Sequence, residues 1–473
     1  MKVLESLVSQ AFCRVADSQI SAGNQVRLLR DGAETYPAWL AAINNATRTL
    51  DLENYIIQDD QTGNAFAEAL INAAGRGVQC RVLYDWMGCL PRTGKTFWRR
   101  LEESGIQVKT YNPPHLSNPF GWISRDHRKV LCADEDYAST GGLCIGHDWV
   151  GDAARNIAPW RDTAIEIKGP AVSHIKAALA DSWAAASGEP PQNLPPVAST
   201  ITSPNGVDIA VIAGRPGAMG LYRLEQLIAE IVERSLWLSD GYFVATTGYI
   251  QALSGAARAG VDVRLLVPGS SNWPIVGALS QSAFRPLLQA GVRIFEWNGP
   301  MLHAKTAVAD GCWTRIGSSN SNLASWISNR ELDVTIKDEN LAAQMEAMYE
   351  DDLKNSTEII LKRGRSGVLR PVSSGSETSP RRQRVSAGRL LSGAIGFGST
   401  LTASFTQHRS LGPAEYFILL GGSALLVLLG LIAIFFPRVL AFPIALVALW
   451  FAGNLIIQAF KLWKQGRNST SGP

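Results

Sequence analysis

The sequence predicts an α/β fold: two pseudo-symmetric lobes, each a mixed β-sheet flanked by helices, plus a C-terminal membrane helical hairpin. Three observations predict it. Short β-prone runs alternate with amphipathic helical stretches through residues 1–360, the alternation is written twice, and two uncharged apolar runs of 21 and 22 residues lie near the end of the chain. Strands alternating with helices mean βαβ units whose sheet is covered on both faces.

The elements repeat in order. Residues 49–57 (TLDLENYII) and 235–244 (SLWLSDGYFV) are apolar runs, each preceded by an amphipathic helical stretch. A helix ending in Gly and a strand follow in each copy, AAGRGVQCRVL at 73–83 and AARAGVDVRLL at 256–266. The pattern then recurs as ESGIQVKTYN at 103–112 and QAGVRIFEWN at 289–298. The lobes are expected at residues 1–190 and 205–360, joined by a Pro-rich segment. A basic flexible linker is expected over 361–388, rich in Ser, Gly and Arg, and an interfacial helix over 389–412.

The hairpin, residues 414–462, rests on the runs 416–436 and 439–460. Each, at about 1.5 Å per helical residue, spans roughly the 30 Å of a hydrocarbon core. Pro437 and Arg438 are almost the whole turn, so a re-entrant hairpin is the rival to two spanning helices. Basic residues cluster on both flanks, which places both ends and the body on the cytoplasmic side of the inner membrane.

Charge and cysteine narrow the function. The net charge of +3 divides into −8 over the first 360 residues, +7 over 361–390 and +4 over the remainder. An acidic body with a basic neck suits an anionic membrane surface and suits nucleic acid poorly. The six cysteines (Cys13, Cys80, Cys89, Cys132, Cys144 and Cys312) are too sparse for a disulfide framework, and no CxxC or HxxxH pair offers a zinc site.

The chemistry concentrates where each copy ends. His127, Lys129 and Asp134 stand in HRKVLCAD, and His303, Lys305 and Asp310 in HAKTAVAD, one HxKxxxxD spacing at equivalent places in both repeats. Positions i and i+2 of a strand face one side, so each histidine and its lysine project together, imidazole to react and ammonium to neutralise a phosphate oxygen. Each aspartate falls beyond the strand end, where it braces a turn more readily than it reaches substrate. Small residues follow at matched offsets, Gly141 and Gly142 in one copy and Gly317, Ser318, Ser319 and Asn320 in the other, suited to phosphate oxygens or to an ordinary turn. Asp162 in WRDTAIEI and Glu331 in NRELDVTI could hold a histidine's second nitrogen, or form loop ion pairs with Arg161 and Arg330.

The duplicated HxKxxxxD with its Gly/Ser-Asn element resembles the phospholipase D superfamily, and within it the bacterial cardiolipin synthases. YIIQDDQTG at 55–63, WRDTAIEIKGPAV at 160–172 and GSSNSNLASWISNRELDV at 317–334 carry the resemblance, which extends over about residues 25–355. One departure is Cys144, in GGLCIG, where the second copy has Asn320. The resemblance implies phospholipase D-like lobes and a metal-independent, cofactor-free, two-step transfer with phospholipid substrates. His127 is then the nucleophile that forms a phosphohistidine and His303 the general acid and base, with the reverse allowed by the pseudo-symmetry. Lys129, Lys305 and Asn320 would bind phosphate, with Gly142, Ser318, Asp162 and Glu331 binding or supporting. Two phosphatidylglycerols would give cardiolipin and glycerol. The alternatives are a hydrolase or transphosphatidylase using phosphatidylethanolamine or another alcohol, and, less favoured by the acidic body, a nuclease.

Overall fold

A computed structural model describes residues 14–373 except 91, 115–123, 153–156, 190–201 and 364–368, together with residues 435, 442, 449 and 450. The expected interfacial helix and membrane hairpin lie outside the described residues apart from those four positions. Among the described residues no helix is long and apolar enough to cross a membrane.

The first lobe runs β1 (Ile20–Arg30), α1 (Asp31–Asn45), β2 (Thr49–Asn54), α2 (Gln61–Gly75), β3 (Gln79–Asp85), α3 (Lys95–Glu103), β4 (Gln107–Tyr111), β5 (Lys129–Ala133), β6 (Tyr137–Gly141), β7 (Thr163–Lys168) and α4 (Ala171–Ser187). The second runs β8 (Val207–Gly214), α5 (Gly220–Ile231), β9 (Ser235–Asp240), α6 (Thr247–Arg258), β10 (Asp262–Pro268), α7 (Pro274–Ala290), β11 (Arg293–Trp297), β12 (Lys305–Ala309), β13 (Trp313–Gly317), β14 (Glu331–Lys337) and α8 (Glu339–Lys354). The strands lie in the order β1-β7-β6-β5-β2-β3-β4 in one lobe and β8-β14-β13-β12-β9-β10-β11 in the other, the same path twice. In each, three neighbouring strands are parallel (β2, β3, β4 and β9, β10, β11) and the remaining pairs antiparallel. The copies join where β1 and β8 pair antiparallel, Ile20 opposite Ala210.

Local chemistry explains these elements. Asp60 caps α2 by accepting from Gly63 N at 2.8 Å, and Asp338 caps α8 by accepting from Leu341 N at 2.7 Å. The helix-to-strand turns before β3 and β10 pass through Gly77 and Gly260 at φ of 89° and 97°, which a side chain strains. Each lobe buries its own core, around Trp39, Phe66 and Leu70 in one and Leu253, Leu265 and Phe284 in the other. A third cluster is shared: Val130, Ile165 and Ile175 of the first lobe meet Val308, Leu332 and Ile336 of the second. Each such side chain contributes about 1.5–3 kcal/mol on burial, so the lobes are held as one body.

The structure shortens the expected linker. Two further strands, β15 (Ser356–Arg363) and β16 (Leu369–Ser373), extend the sheet beyond β11, with Ile294 opposite Ile359. Ser, Gly and Arg are about as frequent in 361–373 as in 374–388, so composition does not separate the strand residues from those that follow. Ile359 is buried in the second core.

Candidate active site

The two histidines stand just before β5 and β12, in extended segments that cross between the lobes. Asp126 bridges in parallel to Arg330, and Arg161 to Leu302. As a result His127 N donates to Arg330 O at 2.9 Å and His303 N to Arg161 O at 2.7 Å. The backbone thus delivers each histidine to the loop carrying the other lobe's acid.

The side chains cross in the same sense. His127 Nδ1 lies 2.9 and 3.0 Å from the Glu331 carboxylate oxygens, and His303 Nδ1 lies 2.7 Å from Asp162 Oδ2. An acid on Nδ1 fixes the Nδ1–H tautomer and leaves Nε2 with its lone pair for chemistry. Both acids are buried and braced. Glu331 accepts from Ser318 Oγ at 2.5 Å and from Asn329 Nδ2 at 3.3 Å, and Asp162 accepts from Trp149 Nε1 at 2.8 Å and Thr163 N at 2.8 Å. Burial raises the pKa of each acid, but the histidine and lysine charges and these hydrogen bonds outweigh it, so both lie below the usual carboxylate range.

Lys129 and Lys305 are fully buried, and each Nζ donates to the carbonyl of its own histidine, two residues back. Their ammonium groups also sit 5.1 and 5.5 Å from the rings of Tyr55 and Tyr242, which in turn lie 4.8 and 5.7 Å from His127 and His303. Burial, reinforced by Lys305, pushes His303 down to about 3 against the pull of Asp162. Burial also lowers His127, opposed by Glu331, and Lys305 falls to about 8 chiefly through burial. Lys129 acts on His303 and Lys305 on His127, so the two halves form one electrostatic unit. Two neutral imidazoles, each with a free Nε2, beside two ammonium groups suit an anionic phosphodiester, a nucleophile and a proton carrier.

Three residue groups from the sequence reading have other surroundings. Asp134 and Asp310 sit at the far ends of β5 and β12, both at φ 50°, and hold turns: Asp134 accepts from Thr47, Arg48 and Thr49 N at 3.0, 2.7 and 3.0 Å, Asp310 from Glu233, Arg234 and Ser235 N at 3.0, 2.7 and 3.0 Å. Both thus brace turns as their place beyond the strand end suggests, and although they share the motif with the histidines and lysines, a five-residue strand, about 3.3 Å per residue, separates them from the histidines. Gly142 serves Asp162, since a Cβ there would stand 2.0 Å from Asp162 Oδ1. Arg161 and Arg330 form no exposed loop pairs with their neighbouring acids: Arg161 is buried against Asp352 at 2.9 Å and Asp31 at 3.0 Å, and Arg330 bonds Asp181.

Asn320 is buried, its Oδ1 without a hydrogen-bond partner among the described residues, whereas the matching Cys144 is a buried thiol raised by burial. Sequence reasoning missed Tyr55, Tyr242, Trp149 and Trp160, the aromatic walls around the histidines, with Trp149 and Trp160 at 5.5 and 5.7 Å from His303. Both tyrosines lie just past the ends of β2 and β9, inside the runs that read only as strands. Among the described residues no cluster of three or more His, Cys, Asp or Glu side chains could hold a metal ion.

Comparison with known proteins places this geometry. The fold is similar to that of the phosphatidylserine synthase of Haemophilus influenzae, with a TM-score of 0.60 at 16% identity over 74% of this chain and 91% of that one. The family described as cardiolipin synthase, PLD-like domain matches residues 39–150 and 226–353. A cardiolipin synthase of a Geobacillus strain is 31% identical over 73% of this chain and 69% of its own length. Cardiolipin synthase A of Pseudomonas aeruginosa is also 31% identical, over 74% and 71%. The family match and these relatives make the chain a phosphatidyltransferase of the phospholipase D superfamily, and it belongs to the cardiolipin synthase-type, PLD-like family.

Proposed function

We propose that the protein transfers a phosphatidyl group from one phosphatidylglycerol to a second, giving cardiolipin and glycerol at the cytoplasmic membrane. The crossed pairs, His127 with Glu331 and His303 with Asp162, carry this reading, because each holds Nδ1 and leaves Nε2 to act as nucleophile or proton carrier on a phosphodiester. His127 Nε2 attacks phosphorus, a P–N bond forms and the P–O bond to glycerol breaks, while His303, which takes up a proton at Nε2 as the anionic phosphodiester binds, gives that proton to the departing alkoxide. His303 then takes the proton of the acceptor's hydroxyl as that oxygen attacks, and the P–N bond breaks. Lys129, Lys305 and Asn320 hold the phosphate oxygens, their charge and amide aimed where negative charge grows. One phosphodiester replaces another, so no nucleotide is consumed.

The reading is tested by incubating the purified protein with phosphatidylglycerol alone, then with phosphatidylethanolamine added, and identifying lipids by mass. Cardiolipin and glycerol from phosphatidylglycerol alone are expected. Product only in the presence of phosphatidylethanolamine, or phosphatidic acid alone, would replace the proposal with a transphosphatidylase or a hydrolase.

A further inference from the structure

A well-packed body of this size leaves few large apolar side chains in water, and here their placement is uneven. Leu90, Val150, Ile157, Trp273 and Leu323 are exposed by 50%, 50%, 43%, 62% and 54%. All five lie in loops that build the site. Leu90 follows the turn of helix whose Cys89 Sγ accepts from Ile57 N, two residues past Tyr55. Val150 adjoins Trp149, and Ile157 leads to Trp160, both against His303. Trp273 adjoins Asn272, which accepts from Tyr242 OH at 2.8 Å. Leu323 follows Asn322, whose backbone N bonds Asn320 O at 2.8 Å.

Ile20 and Ile231, exposed by 44% and 43%, are at the other end. Ile20 opens β1, whose last residue Arg30 pairs with Thr163 beside Asp162, and Ile231 precedes the start of β9, the end that Asp310 braces. Exposed Lys95 stands close beyond Leu90, as does Arg92, whose guanidinium pairs with Asp148 at 3.1 Å, so cations adjoin the apolar rim on a body that is acidic as a whole.

We infer that this rim is a membrane-docking surface: Leu90, Val150, Ile157, Trp273 and Leu323 enter the interface of an anionic bilayer and set the mouth of the site at phosphate depth. The inference rests on the proposed lipid substrate. A scissile phosphodiester lies at the boundary between headgroup and acyl chain, so a buried pair of histidines reaches it only if the surrounding surface enters that boundary. Apolar and aromatic side chains flanked by cations have the chemistry for that layer. A second copy of the chain is the other occupant the rim could take.

The test uses the full chain with single nitroxide labels at Trp273→Cys, Leu323→Cys and, as an apolar control at the opposite end, Ile231→Cys, the unsubstituted chain being labelled in parallel as background. On adding phosphatidylglycerol vesicles, labels at 273 and 323 should lose access to an aqueous nickel chelate and gain access to oxygen, while the label at 231 stays aqueous. Labels at 273 and 323 that stay aqueous, or that are shielded without vesicles and broadened by a second label, would overturn the inference. Leu90→Glu with Trp273→Glu should lower turnover on vesicles by about tenfold or more, while turnover of a short-chain soluble phosphatidyl diester stays within about twofold. Loss on both substrates would count against docking. Wild-type protein that turns over no phosphatidyl ester would instead remove the functional reading, a distinct failure.

Discussion

The two lobes present their histidines with matched geometry but unmatched electrostatics. Behind His127, Arg128 is fully buried, donates to Ser182 Oγ at 2.8 Å and lies 3.8 Å from Glu53, with Asp126 adjoining. The second lobe has Ser239, Leu302 and Ala304 at the matching positions. Behind His303 the balance reverses. Lys305 pairs across the sheet with Asp240, and buried Arg315 lies 2.8 Å from Glu225 and 3.5 Å from Asp333. There the first lobe has Asn54 facing Lys129, and Trp39 donating to Ser139 at 2.8 Å. Burial drives Glu225 up to about 7 and Asp333 up to about 6 in the second lobe, beside Arg315, and in the first it raises Glu53 and Asp126, beside Arg128, so each half buries its own raised carboxyls at different places. Backbone crossing sets the geometry and is easily duplicated; the buried charges that tune each half are free to diverge.

The largest expected effect tests the equivalence of the histidines. His127→Ala and His303→Ala should each lower turnover by about 10³-fold or more, since each step needs both a nucleophile and a proton carrier. Labelled substrate with a good leaving group should still leave phosphate on the protein in the His303 variant and none in the His127 variant. The opposite pattern would exchange their roles.

The crossing itself is tested next. Glu331→Gln and Asp162→Asn should each cost about 10²–10⁴-fold through a misdirected imidazole. Glu331→Gln should be strongly non-additive with His127→Ala, and Asp162→Asn with His303→Ala. The labelling step of the half-reaction separates the pairs, because Glu331 acts on the attacking histidine.

The pH profile probes the unequal tuning. His127 must be neutral to attack, and burial lowers it, so the acid limb of kcat/KM should lie below the ordinary histidine range. Lys305, charged below about 8 and neutral above it, should set a decline as pH rises through that value. Lys305→Arg keeps its charge, so whatever activity remains should lose that alkaline decline. A basic limb unmoved by this substitution would assign the decline elsewhere.

The smallest effect compares Asn320 with Cys144. Loss of one hydrogen bond to an anion should raise KM about tenfold in Asn320→Ala, whereas Cys144→Ala should change it by less than about threefold, a buried thiol giving up little more than packing. Equal effects would mean that the two positions contact substrate alike.

Much of this was legible beforehand because it is written at short range. The double HxKxxxxD, the matched strands and the small residues after β6 and β13 depend on neighbours a few residues apart. The pairing of His127 with Glu331 spans 204 positions, and His303 with Asp162 spans 141. Periodicity and spacing nominate both acids without saying which histidine each serves. Asp134 and Asp310 show the opposite difficulty: they belong to the motif by spacing, yet strand length carries them away to hold turns. The end of β15 and all of β16 were hidden because residues 361–373 are themselves as rich in Ser, Gly and Arg as the segment that follows.

The crossed acids bear on what a single repeat could ever have been. A lone first lobe would own His127 and Asp162 but lack Glu331, and a lone second lobe would own His303 and Glu331 but lack Asp162. Neither half holds a finished site, so a one-repeat ancestor would have worked only as a pair of identical chains exchanging acids about a two-fold axis. Fusion then fixed the stoichiometry and released each copy from serving both sides of that axis. Separately expressed halves, cut in the segment between α4 and β8, should accordingly recover activity only when mixed, with a concentration dependence of second order.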